Sequence, residues 1–258
     1  MVPRMPWLTS RSLGAAAVAL LAVVFPAFAQ SRAQHDTYVI VHGAWGGGWD
    51  WRGIDSMLTA QGHQVYRVTL TGLGERVHLA SPSIGLTTHI TDVVNSITWE
   101  QLRNVVLVGH SYGGMVITGA ADRIPERIRA LIYLDAFLPE SGESVQRLGG
   151  ADFSSFVTQN SKDGMIQAPW VQPGTAVPTD VPHPLKTFTD TLVLTNAAAR
   201  RLPASYILTV DKGSTTDSFS PYAARAKARG WPVHQMEADH TPERSARAEL
   251  VQLLLRLP

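Results

Sequence analysis

Cysteine is absent from all 258 residues. Disulfides therefore contribute nothing to stability, lipid attachment through a cysteine is excluded, and a zinc site built on thiolates cannot form. An excess of charge of one sign is lacking as well: 22 Lys and Arg stand against 21 Asp and Glu, for a formal charge of +1. That balance points away from nucleic acid and from an anionic membrane surface. Also missing are Cys/His zinc spacings, a P-loop lysine behind a glycine run, and any internal repeat with a period of about 20 to 50 residues. These absences predict a fold held by its hydrophobic core alone, with no metal, no cofactor and no nucleic-acid partner. Nothing in the sequence speaks to oligomeric state.

Long hydrophobic runs are scarce. The one of note extends from Leu13 to Phe25, behind Arg4 and Arg11 and ahead of Pro26, Ala27, Phe28 and Ala29. A basic start, a short apolar stretch and small residues spaced for cleavage predict a secretory signal peptide over residues 1–29, cut after Ala29. The run falls short of the roughly 20 residues that a membrane span requires, so no stable anchor is expected. The expected location is periplasmic or extracellular. About 229 residues then remain (30–258), a size at which one α/β domain suffices, and loss of the two arginines takes the formal charge to about −1.

Within that domain, strand-like and helix-like segments alternate. Tyr38–Val41 and Val65–Leu70 are short β-rich runs separated by a helical pattern from Trp51 to Ala60. Thr88–Ser96 has helical spacing, Val105–Val108 and Ala130–Leu134 read as strands, and a helix between them runs to about Arg123,. Tyr206–Val210, a helix near Pro221–Arg229, a strand over Val233–Met236 and a closing helix from Pro242 to Leu257 complete the pattern. Such alternation predicts an α/β fold with a mostly parallel sheet and helices on both faces. Residues 138–203 break the rhythm with Pro139, Pro169, Pro173, Pro178, Pro182, Pro184 and Pro203. This stretch reads as an inserted lid rather than as sheet.

Gly109-His110-Ser111-Tyr112-Gly113 lies between the apolar run Val105–Val108 and the helix-compatible Gly114-Met115-Val116-Ile117. Small residues two before and two after Ser111 permit a sharp strand-to-helix turn that holds its Oγ clear of the backbone as a nucleophile. A G-x-S-x-G pattern alone is also met in ordinary surface turns, and the flanking strand and helix are what distinguish this one.

Serine at its free pKa is a poor nucleophile, so Ser111 needs a base and a carboxylate to orient that base. His240 follows the last predicted strand and precedes the final helix, where a side chain reaches the sheet's carboxyl edge. His234 falls inside a strand, His183 in the insertion and His35 before the first strand, and each reads as structural or solvated. Two strand ends offer the acid. Asp135 follows Leu131–Leu134 and Asp211 follows Tyr206–Val210, and strand-end aspartates also commonly cap turns. Asp217 is a weaker third choice, and Asp239 is expected to fix the loop beside His240. The oxyanion formed by attack on a carbonyl would rest on the backbone N–H groups of Ala44, in His42-Gly43-Ala44, and of Tyr112. Gly46-Gly47-Gly48 lacks the register of a phosphate cradle and reads as a compact path past the site.

Four segments carry a family resemblance across essentially the whole predicted mature chain. They are Val41-His42-Gly43-Ala44-Trp45 with Gly47-Gly48-Trp49; Leu70–Arg76; Gly109–Met115; and Tyr133–Pro139. Together they resemble bacterial α/β-hydrolases close to the carbendazim-hydrolysing esterases and, more distantly, plant methylesterases and hydroxynitrile lyases. The resemblance implies a small lid over an apolar pocket and hydrolysis of a small-molecule ester, or a carbamate-like relative, by a serine triad without metal or cofactor. A lactonase, a lyase in the same pocket and a non-catalytic binding homologue are the alternatives. For the acid the resemblance divides: Asp211-Lys212-Gly213 is similar to the methylesterase segment, and Tyr133-Leu134-Asp135-Ala136 to that of haloalkane dehalogenases and zearalenone lactonases. Asp135 is preferred because its stretch is most similar to the bacterial relatives. Hydroxynitrile lyases carry a lysine directly after the histidine and a threonine near the oxyanion position, where this chain has Thr241 and Ala44. Trp45, Phe137 and Trp170 are the expected substrate-binding aromatics, with Tyr112, Phe153, Phe156 and Phe188 as further candidates; ordinary core packing is the competing role for each.

Overall fold

The computed structural model describes residues 35–257. The predicted signal peptide and its cleavage point lie outside the described residues. The chain runs through β1 (Thr37–Val41), a 3-10 turn at Gly48–Trp51, α1 (Arg52–Thr59), β2 (Gln64–Val68), α2 (Leu86–Trp99), β3 (Val105–His110), α3 (Gly113–Arg123) and β4 (Ile128–Leu134). It then forms α4 (Val145–Leu148), α5 (Gly150–Asn160), three short strands β5 (Ser161–Lys162), β6 (Met165–Ile166) and β7 (His183–Pro184), and α6 (Lys186–Thr189). β8 (Ala204–Val210), α7 (Ser220–Ala228), β9 (Val233–Glu237), α8 (Pro242–Ser245) and α9 (Arg247–Leu254) follow.

The main sheet has the order β2-β1-β3-β4-β8-β9, with all neighbours parallel. Its inner strands are near-continuous apolar runs because both faces are covered. Val39, Val41, Leu107, Leu131 and Tyr133 bury one face in a core shared with α2 and α3. Their alternates Tyr38, Ile40, Val106, Val108 and Ile132 bury the other against Ile54 and Leu58 of α1 and Leu250 and Leu254 of α9, as the two-residue side-chain period of a strand requires. Edge strands β2 and β9, with sequences QVYRV and VHQME, remain partly exposed and carry the polar residues that blunt a sheet edge,.

From β1 the chain passes outward to β2, then returns to place β3 on the other side of β1. The direction of winding reverses there, and open parallel sheets bind ligands at the carboxyl ends of strands flanking such a point. β1 leads into His42-Gly43-Ala44 and β3 leads into Ser111.

Two sequence expectations are corrected. The insertion contains a three-stranded antiparallel sheet, β5-β6-β7, whose two-residue strands are too short to leave an alternating pattern. The closing helix is two helices, broken at Ala246 with φ −139° and ψ 49°. α8 buries Pro242 and Glu243 beneath the site while α9 buries Leu250, Val251 and Leu254 against α1, and one straight helix cannot serve both surfaces.

Candidate active site

Ser111 is the first residue beyond β3 and has φ 53°, the left-handed conformation that a nucleophile elbow demands of a non-glycine residue. Close packing accounts for the flanking glycines. A side-chain carbon on Gly109 would come within 2.8 Å of the Gly113 carbonyl oxygen, and one on Gly113 within 2.6 Å of the Val41 carbonyl oxygen. On Gly114 it would overlap the Phe137 carbonyl oxygen.

His240 Nε2 lies 3.0 Å from Ser111 Oγ and His240 Nδ1 lies 2.6 Å from Asp135 Oδ2. With a carboxylate on Nδ1, that nitrogen carries the proton and Nε2 is left to accept from the serine hydroxyl. Asp135 is wholly buried, has φ 41°, and accepts the Thr209 N–H on its other oxygen at 3.1 Å. Burial raises its carboxyl above the ordinary carboxylate range, and the hydrogen bond from His240 acts in the opposite direction. Asp211 is exposed, its carbonyl accepting from Ser214. Asp217 caps the turn ahead of α7 through the Phe219 N–H. Asp239 accepts from Thr241 N, Thr241 Oγ1 and Ser245 Oγ, holding the histidine loop as its position suggested.

Ala44 and Tyr112 both line the cavity above Ser111, and among the described residues neither N–H has a hydrogen-bond partner. Tyr112 N–H stands at the positive N-terminal end of α3,. His42 sets the other donor. Its Nε2 accepts the Leu70 N–H at 3.2 Å, so its Nδ1–H donates to the Gly43 carbonyl at 2.7 Å. That bond fixes the planar Gly43–Ala44 peptide and with it the direction of the Ala44 N–H. Burial lowers the His42 pKa to about 4, which keeps the ring neutral.

The cavity over Ser111 and His240 has a volume of about 880 Å³. Trp45, Phe137 and Trp170 line it, as do Tyr112, Phe153, Phe156 and Phe188, so each aromatic singled out from the sequence reaches this one space. Glu143, Arg147 and Arg225 supply a polar margin. Pockets of this kind, mostly apolar with few polar groups, suit small organic ligands.

Several residues around the site leave no local signal in the sequence. Phe219 stacks on the His240 imidazole at 4.7 Å between ring centres and 13° between planes; a single aromatic in a polar loop carries no periodic signal. His110 Nε2–H donates to the His240 carbonyl at 2.7 Å, pinning the loop that carries His240. Its Nδ1 faces Glu243, 3.8 Å away, whose carboxyl burial pushes up to about 8. Arg244 forms a bidentate pair with the buried Asp50 of the 3-10 turn at 2.6 and 2.8 Å.

Comparison with known proteins agrees with this architecture. Residues 38–253 match the alpha/beta hydrolase family. A carbendazim hydrolyzing esterase of a Nocardioides species is 55% identical over 111 residues, which is 43% of this chain and 46% of the relative. Methylesterase 1 of Arabidopsis thaliana is 32% identical over 153 residues, covering 55% of this chain and 51% of the relative. The chain thus aligns with about half the length of these curated relatives. An extracellular alpha/beta-hydrolase from a Paenibacillus species shares the fold with a TM-score of 0.74 at 23% identity, covering 86% of this chain and 98% of that one. With the parallel sheet, the strained serine turn and a matched span of this extent, the chain belongs to the alpha/beta hydrolase family.

Proposed function

We propose that this chain is a serine esterase that hydrolyses a carboxylic or carbamate-like ester of a small, largely apolar molecule through an acyl-enzyme. The continuous chain of contacts from Ser111 Oγ through His240 to Asp135, at the floor of an aromatic cavity, carries this reading. The similarity to a carbendazim hydrolyzing esterase and to a methylesterase supports the same reading.

In the proposed reaction Ser111 Oγ attacks the ester carbonyl as His240 Nε2 takes its proton. Asp135 stabilises the imidazolium from a buried site, and the oxyanion rests on the Ala44 and Tyr112 N–H groups. His240 returns the proton to the departing alcohol, and a water activated by the same nitrogen then releases the acid and regenerates Ser111. A cyanohydrin-lyase route would require a cation beside His240. Thr241 stands there, with its hydroxyl turned to Asp239.

A fluorophosphonate should label the intact protein at Ser111, and Ser111→Ala should abolish both labelling and ester turnover. Unlabelled wild-type protein, or turnover that survives the substitution, refutes the reading. We further read residues 1–29 as an export signal. N-terminal sequencing of protein recovered from the periplasm or medium should begin at Gln30.

A further inference from the structure

Trp45 follows the proposed oxyanion donor Ala44 and has φ 64°, a left-handed backbone that a bulky side chain adopts only where its surroundings impose it,. The surroundings here are one piece of chain. Trp45 N–H donates to His183 Nδ1 at 3.2 Å, the Trp45 carbonyl accepts the Val181 N–H at 2.9 Å, and the indole Nε1–H donates to the Ile166 carbonyl at 3.1 Å. All three partners belong to the insertion. Ile166 and His183 are moreover directly opposite one another in the β6–β7 ladder, so a single cross-strand pair grips both the backbone and the side chain of Trp45.

The imidazole is built to accept. His183 is fully buried, and its Nε2 lies 2.8 Å from Thr187 Oγ1, whose own proton goes to the Pro184 carbonyl at 2.8 Å. Thr187 Oγ1 can therefore only accept from His183, which places the ring proton on Nε2 and a lone pair on Nδ1, facing Trp45 N–H. A doubly protonated ring would set its Nδ1–H against the Trp45 N–H. Burial, followed by the neighbouring His89 and His42, holds the His183 pKa well below its ordinary value.

Resting on the esterase reading above, we infer that His183 is a positioning residue for the oxyanion: by accepting the Trp45 N–H it holds the Ala44 loop in the geometry that stabilises the tetrahedral intermediate. The short antiparallel sheet of the insertion is then a clamp on the oxyanion loop as well as a wall of the pocket. His42 fixes the peptide before Ala44 and His183 the peptide after it.

The test compares His183→Phe, which keeps a ring but loses the acceptor, with His183→Asn, whose Oδ1 can replace Nδ1. With a p-nitrophenyl ester, His183→Phe should lower kcat by about ten- to a hundredfold with KM within about twofold, since a displaced donor acts in the transition state. Its affinity for a boronic acid, which mimics the tetrahedral species, should fall in parallel, and His183→Asn should restore most of both. Thr187→Val, which frees the tautomer, should give a smaller loss of the same kind and serves if His183→Phe does not fold. Three results overturn the inference while leaving the esterase reading intact: kcat unchanged in a folded His183→Phe or Thr187→Val; KM rising while kcat holds; or His183→Asn losing as much as His183→Phe at equal melting temperature. A wild-type chain that turns over no ester overturns the esterase reading itself.

Discussion

Ser111 and Asp135 are backbone neighbours as well as the two ends of a side-chain relay. The Ser111 N–H donates to the carbonyl of Leu134, the residue immediately before Asp135, at 3.2 Å, and the Ser111 carbonyl accepts the Phe137 N–H at 3.1 Å. Each is the first residue past its strand and each has a positive φ. Adjacent parallel strands β3 and β4 thus end in matched, strained turns that lift two side chains toward one histidine.

That arrangement makes Asp135 the expected acid. Asp135→Asn should lower kcat by about four orders of magnitude with the fold intact, because the imidazole loses its tautomer and its counter-charge. Asp211→Asn should stay within a few-fold of wild type. Steady-state kinetics of the two variants on one ester decide it, and the reverse ordering would exclude Asp135 as the orienting carboxylate.

Gly114 allows α3 to lie directly against the chain that leaves β4. Gly114→Ala should destabilise the protein by about 3 kcal/mol, since a methyl group there meets the Phe137 backbone rather than a movable side chain,. Urea unfolding would show a lower midpoint. Gly142→Ala, on a surface turn with φ 87° and nothing near the added carbon, carries backbone strain without overlap and should cost less, about 1 kcal/mol.

Acid should weaken the fold through its buried histidines. His42 and His89 have pKa values near 4 in place of the ordinary 6.5, burial being the main cause. Between those values the unfolded chain binds protons that the folded chain does not, so stability falls as pH drops from 6.5 toward 4. The slope is roughly 1.4 kcal/mol per pH unit for each group. Urea midpoints measured across this range should show the decline, and His89→Gln should flatten it.

Glu243 acts with the opposite sign. Its folded pKa of about 8 lies above the ordinary 4.5, so its contribution is fully present below 4.5 and is lost as pH rises through about 8. Glu243→Gln removes that loss. The variant should gain stability relative to wild type as pH increases across this window, and a difference that stays constant with pH would show that Glu243 does not hold a proton in the folded chain.

Much of the core and part of the site were legible in local sequence. Val105–Val108 is a buried strand because four consecutive apolar residues suit a strand covered on both faces, and the glycines around Ser111 mark the turn within a five-residue window. His240 was identified by its place after the last strand. Phe219, His110 and His183 were not readable as site residues, since each acts through a contact with a segment far along the chain. The Arg244–Asp50 pair left no local signal for the same reason: its members lie 194 residues apart.

What the sequence by itself determined is the set of pieces whose signal is carried within a few residues: the alternating α/β pattern, the serine turn, the glycine-bearing loop at Ala44 and the place of His240 after the last strand. Which of Asp135 and Asp211 meets His240 was decided by tertiary structure. Both follow apolar strands, but β4 lies beside β3 and β8 lies one strand further out. Asp135 is consequently buried between the Thr209 N–H and His240, while Asp211 faces solvent. Sheet order, strand register and the path of the insertion depend on contacts summed over the whole core, and these bring His240 and His183 to their partners.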